Sequence, residues 1–375
     1  MGSAGLAAVV AVLVAAPLAV LLWDSLSGPG GGAGAVERAL SAASSSSALA
    51  NTAVFAVGSS LFATVVGTAL AYLYVRTDVP ARPLLVVAAV VPFTVPGMLY
   101  AFAWVLLASP RMGAATPLWS WLPAGGIDPF GLPGMVLIEG MHLSALAFLL
   151  MVVALRSLDP ALEEAAFTSG ASAPTVLRRI TLPLCRPALL ATLLLVALRA
   201  LESFEVPALL GMSDRTTVLT TELFQMLRRF PPDPSAAGVL SMVLVAIAVA
   251  GLAVNHRFLG GHGRFTILTG RRPAAPSLRL GRWRRPVAVA VALWCAVVAV
   301  APLLILVWAS LLPYYSRPSS GALRSVSLAN YGSALTDPAF TAATVRSLAL
   351  GFAVATLAVL LGALIAWVVV RTRTR

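Results

Sequence analysis

The chain has 375 residues, 59% hydrophobic and only 11% charged, with a mean hydropathy of +0.92. Soluble domains are about half apolar and about one quarter charged, so a water-soluble globular fold is excluded and a membrane protein is indicated. The net charge of +12 does not point to nucleic acid, because the 26 basic residues are all arginines, mostly set at the ends of apolar runs, and form no single patch interleaved with aromatics.

Runs of about 20 apolar residues match the thickness of a hydrocarbon core. Eight are expected, at 4–23, 51–74, 84–108, 135–155, 188–210, 237–257, 286–312 and 343–370. The fold class read from them is all-α, a polytopic bundle of about eight transmembrane helices. The first run precedes a small-residue stretch, SAASSSS, as a secretory signal would, but it lacks a basic leading region. Arginine sets the orientation, since it is enriched in cytoplasmic loops. With the N-terminus inside, the cytoplasmic segments hold 17 arginines and the outer loops seven. The loop after the fourth run then faces the cytoplasm.

That loop, residues 159–187, is too long for a tight connection and too patterned for disorder. DPALEEAAFTSG offers Asp159 as N-cap and Pro160 at the first helical position. Glu163 and Glu164 then fall in the first turns, where the dipole favours acids, and Gly170 is the C-cap. PTVLRRITLP predicts a second helix from Thr175 to Ile180, closed by Leu182-Pro183. Two short helices reversing at Gly170 would form a knob on the cytoplasmic face.

In the fifth run, Arg199, Glu202 and Glu205 stand at i, i+3 and i+6, an arc of about 120° on one helix face. Ionisable groups at that depth are costly, and they pair or line a water-filled path. Pro207 opens the helix just beyond them. The segment either lines and gates a translocation path or carries a structural ion pair that fixes packing. Glu139 and His142 of the fourth run form a second candidate group, to which no metal-binding role is assigned.

Residues 258–285 carry no acidic residue and many glycines, prolines and arginines, the composition of a cytoplasmic linker beside anionic headgroups. The linker separates two copies of one unit. APLAVLLWDSL at 16–26 recurs as APLLILVWASL at 301–311, and GTALAYLYVRT at 67–77 as GALIAWVVVRT at 362–372, pairing Gly67 with Gly362 and Arg76 with Arg371. The expected organisation is a six-helix unit at 1–257, the linker, and the start of a second unit at 286–375. Because the first copy continues for four more runs, the natural polypeptide is expected to extend past Arg375 by on the order of 180 residues.

Glu164-Ala165-Ala166, three residues, Gly170, nine residues, Ile180, one residue and Leu182-Pro183 resembles the EAA loop of permease subunits in binding-protein-dependent ABC importers. The duplication and the run RALESFEVPALLG are similar to fused permeases of the iron(III) type. The resemblance implies a multi-pass inner-membrane protein whose loop, through Glu163, Glu164, Ala165, Ala166 and Gly170, docks on a cytoplasmic ABC ATPase dimer. Ile180, Leu182 and Pro183 would return the chain to the membrane. It further implies an extracytoplasmic solute-binding protein as partner, and iron(III) as cargo, with thiamine, polyamine, phosphonate or sulfate as alternatives. ATP would be bound by the separate subunit, and no cofactor is expected on this chain.

The sequence holds no GxxxxGK[ST] loop, no HExxH pair and no nucleophile elbow, so no catalytic residue is assigned. Cys185 and Cys295 fall in a cytoplasmic loop and a span, where no disulfide is expected. The competing reading from another class is an ion-coupled secondary transporter using Glu202 and Glu205.

Overall fold

A computed structural model describes residues 3–27, 31–45, 47–80, 82–110, 112–116, 129–260 and 278–371. Among them the structure is helical, with turns, one isolated parallel bridge between Thr77 and Leu278, and no strand. The helices are α1 (Ser3–Ser27), α2 (Ala33–Ser45), α3 (Ala48–Arg76), α4 (Arg82–Thr94), α5 (Gly97–Ala108), α6 (Leu132–Ser157) and α7 (Ala161–Thr168). They continue as α8 (Ala173–Glu202), α9 (Leu219–Arg228), α10 (Pro234–Gly260), α11 (Gly281–Ser310), α12 (Ala329–Thr336) and α13 (Pro338–Arg371). Of these α3, α6, α8, α10, α11 and α13 are long and apolar enough to cross a bilayer, and the bent pair α4–α5 makes a seventh span. α1 covers the first expected run, so each of the eight runs falls at least in part on a helix. Most of the expected linker, residues 261–277, lies outside the described residues.

The parallel pair α3–α6 forms the centre of the bundle, with Gly58 beside Val136 near one end and Gly67 beside Ala147 further along. In lipid no hydrophobic drive separates one apolar helix from another, so close van der Waals fit must hold them. Small residues provide it: a Cβ on Gly67 would stand 2.6 Å from Ala147 Cβ, and one on Gly140 would stand 2.7 Å from the Phe62 ring. Phe55, Tyr100, Trp104, Met135 and Ile138 pack together along one part of the pair. Ala71, Leu85, Phe148, Met151 and Leu155 pack further along it.

Prolines decide where the helices break. The expected run 84–108 is two half-helices bent by 108° at Val95-Pro96 rather than one straight span, because the Pro96 ring disfavours helical geometry at the residue before it. Pro183 does the opposite of what the sequence predicts. Instead of closing a short helix, it lies inside α8, where a π-turn at Leu177–Thr181 absorbs the clash between its ring and the carbonyl four residues back. α11 repeats the device, with a π-turn at Ala296–Val300 just before Pro302.

The fifth expected run, 188–210, also ends early, at Glu202. Pro207 has no N–H to offer the Ser203 carbonyl, so the ladder cannot continue across these residues. Thr220 Oγ1 donates to the freed carbonyl at 2.9 Å.

The segment that follows the linker is not set apart from the residues before it. Cys295 and Ala299 of α11 pack on Ala88 of α4, and Ile305 packs on Ala103 and Leu106 of α5. Tyr315 Oη donates to the Leu106 carbonyl at 2.6 Å. α13, by contrast, is exposed from Pro338 to Trp367.

Candidate functional site

α8 begins in the loop that follows α6 and ends at Arg199 and Glu202, so one 30-residue helix joins that loop to a polar cleft. At the loop end, Asp159 Oδ1 accepts the Ala161 N–H at 3.0 Å, and the Pro160 carbonyl accepts those of Glu163 and Glu164, each at 3.0 Å. These acceptors satisfy N–H groups that a helix start leaves free. α7 closes in a Schellman arrangement. Ala171 N donates to Ala166 O and Gly170 N to Phe167 O, both at 3.0 Å, with Gly170 at φ +85°. Gly170 is therefore the reversal point that the sequence predicts.

Glu163 turns inward. Its Oε2 lies 3.1 Å from Arg76 Nε, and its Oε1 accepts from Thr181 Oγ1 at 2.7 Å. The Nε–H is not aligned on the carboxylate, so the contact is an ionic one. The Arg76 and Glu163 side chains are only 6% and 3% exposed. Arg76 Nη2 also donates to the Leu158 carbonyl at 3.2 Å. Arg76 ends α3, where the helix dipole favours a cation, and it occupies Glu163 from inside the fold. Glu163, expected among the docking residues, is thus turned away from any partner and anchors the loop. Losing one member of such a buried pair costs about 3–5 kcal/mol.

The outer face of α7 is left to Leu162, which is 53% exposed, with Glu164 and Ala165 also exposed, and Gly170 exposed just beyond. Ala166 is half-buried. This face carries one acid, Glu164, beside an exposed leucine. Ile180 and Leu182 are half-buried on α8 and Pro183 is exposed, all within the rod rather than at a return into the membrane.

At the other end of α8 a cavity of about 360 Å³ lies between the α4–α5 break (Phe93–Gly97), Glu139 and His142 of α6, and the segment from Arg199 to Val206. Arg199 Nη1 and Glu202 Oε2 are 3.2 Å apart, with side chains 63% and 60% exposed, so the pair faces an open cleft rather than a dry bundle interior. Glu205 is not on their helix. It follows the break at Ser203-Phe204, where its Oε2 accepts the Phe204 N–H at 3.3 Å, and the chain's turn brings it to the same cavity. The single-face argument is corrected for Glu205, while the convergence of the three residues stands. Pro207 is buried at the start of a π-turn, Pro207–Gly211.

Glu139, 3% exposed, and His142, stacked on the Tyr100 ring at 4.9 Å, complete the cleft. The signal for them was an acid and an imidazole three residues apart in an apolar run, and only the bend of α4–α5 brings that face to α8. Sequence reasoning missed Ser203 and Thr220, because nothing in a run of small polar residues marks which carbonyl a proline will free. It also took Arg76 only as a marker of topology and of the internal repeat. Among the described residues, no group of three or more His, Cys, Asp or Glu side chains is placed to hold a metal ion.

Residues 63–257, which contain both the loop and the cleft, match the family model described as "Binding-protein-dependent transport system inner membrane component". The chain is 29% identical over 322 residues to a Sinorhizobium fredii protein named "Probable ABC transporter permease protein y4fN", covering 82% of this chain and 55% of that one. It is 26% identical over 138 residues to the "Ferric transport system permease protein FbpB" of Actinobacillus pleuropneumoniae, covering 37% of this chain and 20% of that protein. With the Escherichia coli "Sulfate transport system permease protein CysW" it shares 31% identity over 160 residues, covering 42% of this chain and 54% of that one. The chain thus spans about half or less of the length of these relatives.

Proposed function

Because this chain belongs to the binding-protein-dependent transport system inner membrane component family, we propose that it is the membrane-spanning permease subunit of an ATP-driven ABC importer, forming the translocation path. Its N-terminus and the α7 loop lie in the cytoplasm, a placement that the distribution of arginines supports. The partners are a cytoplasmic ABC ATPase dimer, which binds the ATP, and an extracytoplasmic solute-binding protein. The permease itself carries out no bond chemistry and holds no cofactor.

The observation that carries this reading is the shape of α7. Its inner face is fixed by Glu163, while its outer face offers Leu162 as an apolar contact, with Glu164, Ala165 and Gly170 beside it. Two alanine-sized positions admit close approach of a partner, and Glu164 supplies one charge for pairing. Closure of the ATPase dimer displaces α7. α8 is continuous from Ala173 to Glu202, about 45 Å at 1.5 Å per residue, and carries that displacement to Arg199 and Glu202 in the cleft. The α4–α5 break and the Ser203 break are where the cleft walls yield.

The cargo is a small polar solute. Glu139, Glu202 and Glu205 outnumber Arg199 around the cleft, which favours iron(III), and a relative named as a ferric permease supports it. A relative named as a sulfate permease supports the oxyanion alternative; thiamine, polyamines and phosphonates are the other candidates. The carboxylates also keep an ion-coupled secondary transporter in view.

The test is uptake into proteoliposomes holding the permease with its ATPase and binding protein. Radioactive iron(III) accumulates only with ATP inside and binding protein outside, and Glu164→Lys abolishes uptake. Uptake that follows an ion gradient without ATP would sink the importer reading. Sulfate uptake in place of iron would move the cargo to the oxyanion class. An Arg199→Ala, Glu202→Ala double variant that transports at the unaltered rate would remove the gating role of that pair.

A further inference from the structure

Arg76 meets more than the loop. Its guanidinium holds Glu163 of α7 and the Leu158 carbonyl that follows α6. Its own carbonyl accepts the Leu278 N–H at 3.0 Å, next to the parallel bridge between Thr77 and Leu278. Two residues on, Asp78 Oδ1 accepts the Leu280 N–H at 2.9 Å, and Leu280 packs on the cluster that contains Val79, Leu85 and Leu155. Leu278 to Leu280 is the stretch that leads into α11, the first helix of the second copy, and α11 lies along α4 and α5.

We propose that Arg76 is a positioning residue that joins the α7 loop of the first unit to the head of the second unit, so that the two move as one body. The inference rests on the reading of α7 as the ATPase-docking loop, and it adds a second route to the cleft. α8 carries motion to Arg199 and Glu202. The Arg76 node carries it to α11 and from there to the α4–α5 break on the opposite wall. A single docking event would then move both walls.

Three features make the junction specific rather than incidental. The ion pair is enclosed, so solvent does not screen it, and the Thr181 hydroxyl fixes the second carboxylate oxygen. The backbone of the same residue pins the second unit, so a change in the side-chain geometry acts on Leu278 through one peptide. The tie also joins segments about 200 residues apart, Asp78 to Leu280, which no local propensity would bring together.

The experiment is amide hydrogen exchange on the full chain in lipid nanodiscs, read by mass spectrometry, with variants E163Q, R76K and R76Q. Breaking the buried pair is expected to speed exchange at least about tenfold in α7 and, with it, at Leu278 to Leu280 in E163Q and R76Q. R76K, which keeps the cation, retains protection in both segments, whereas the centres of α6 and α10 exchange at the unaltered rate in all three variants. Should E163Q not fold, Thr181→Val, which removes only the hydroxyl, gives the same paired loosening at smaller amplitude. Loosening of α7 with Leu278 to Leu280 unmoved would overturn the proposal, and so would uniform acceleration of the whole bundle. Neither ATPase nor cargo enters this measurement. A failure of the docking reading would appear separately, as ATP-driven uptake that survives Glu164→Lys.

Discussion

Replacing Gly67 with alanine tests the claim that α3 and α6 are held by backbone proximity. The new Cβ would stand 2.6 Å from Ala147 Cβ, 2.7 Å from the Phe148 nitrogen and 2.9 Å from the Ala147 carbonyl carbon. Carbon atoms rest about 3.5–4.0 Å apart, and two of these three neighbours are backbone atoms that no rotamer change can move. The helices must therefore separate by about 1 Å. A gap of that size forfeits about a quarter to a half of each facing dispersion contact. Overpacking of this kind costs about 1–3 kcal/mol, and the helix-propensity gain of alanine over glycine returns at most about 1 kcal/mol. Gly362, the repeat equivalent on α13, meets nothing within 4 Å, so the same substitution there brings the propensity effect alone. Unfolding of the purified chain in mixed micelles under increasing SDS reads both variants. The expected result is a loss of about 1–2 kcal/mol for Gly67→Ala and a null or slightly favourable change for Gly362→Ala. Equal effects at the two positions would refute the reasoning, since sequence context is shared and only packing differs.

Other consequences can be measured on the same preparation. Thr220→Val leaves the Ser203 carbonyl without the donor at 2.9 Å, and a loss of about 1–3 kcal/mol is expected, against no change for Thr220→Ser. Gly170→Ala places a side chain at φ +85° in open space, so backbone strain of about 1–2 kcal/mol is the only penalty, read as faster amide exchange confined to α7 and the residues after it. Arg38 donates a hydrogen bond to Asp233 that, with the Ala236 N–H and the arginine charge, holds the aspartate below its ordinary range. A depressed native value gives stability that is present above the unfolded pKa near 3.9 and is lost as pH falls through the native one. Melting curves of the parent chain and Asp233→Asn should therefore differ at pH 6 and begin to converge only as pH falls below about 4. A constant gap across that range would show that the pair contributes nothing through titration.

What was legible from the residues follows from effects that act locally. Apolar length set the eight helical runs, because a chain in lipid must satisfy every backbone group within its own segment. The caps of α7 could be read because Asp159, Pro160 and Gly170 act on their immediate neighbours. Some departures involve a distant element and others only the neighbouring turn. Glu163 stands in a helix's first turn, where sequence alone makes it look exposed and acidic; Arg76, on another helix, takes it out of reach. Pro183 has the chemistry of a helix stop, and a π-turn upstream overrides it. Glu205 reaches the cleft only because Pro207 frees the Ser203 carbonyl and Thr220 captures it.

The sequence by itself determined that this is a helical membrane protein and that the loop at 159–187 is ordered. Those facts depend on hydropathy, spacing and caps, each carried by residues close together in the chain. Tertiary structure alone decided which face of α7 is free, how the chain reaches the cleft from two helix breaks, and that Arg76 touches both α7 and the stretch that leads into α11. Each of these depends on atoms between about 15 and 200 positions apart meeting within hydrogen-bond distance, and no periodicity encodes such a meeting.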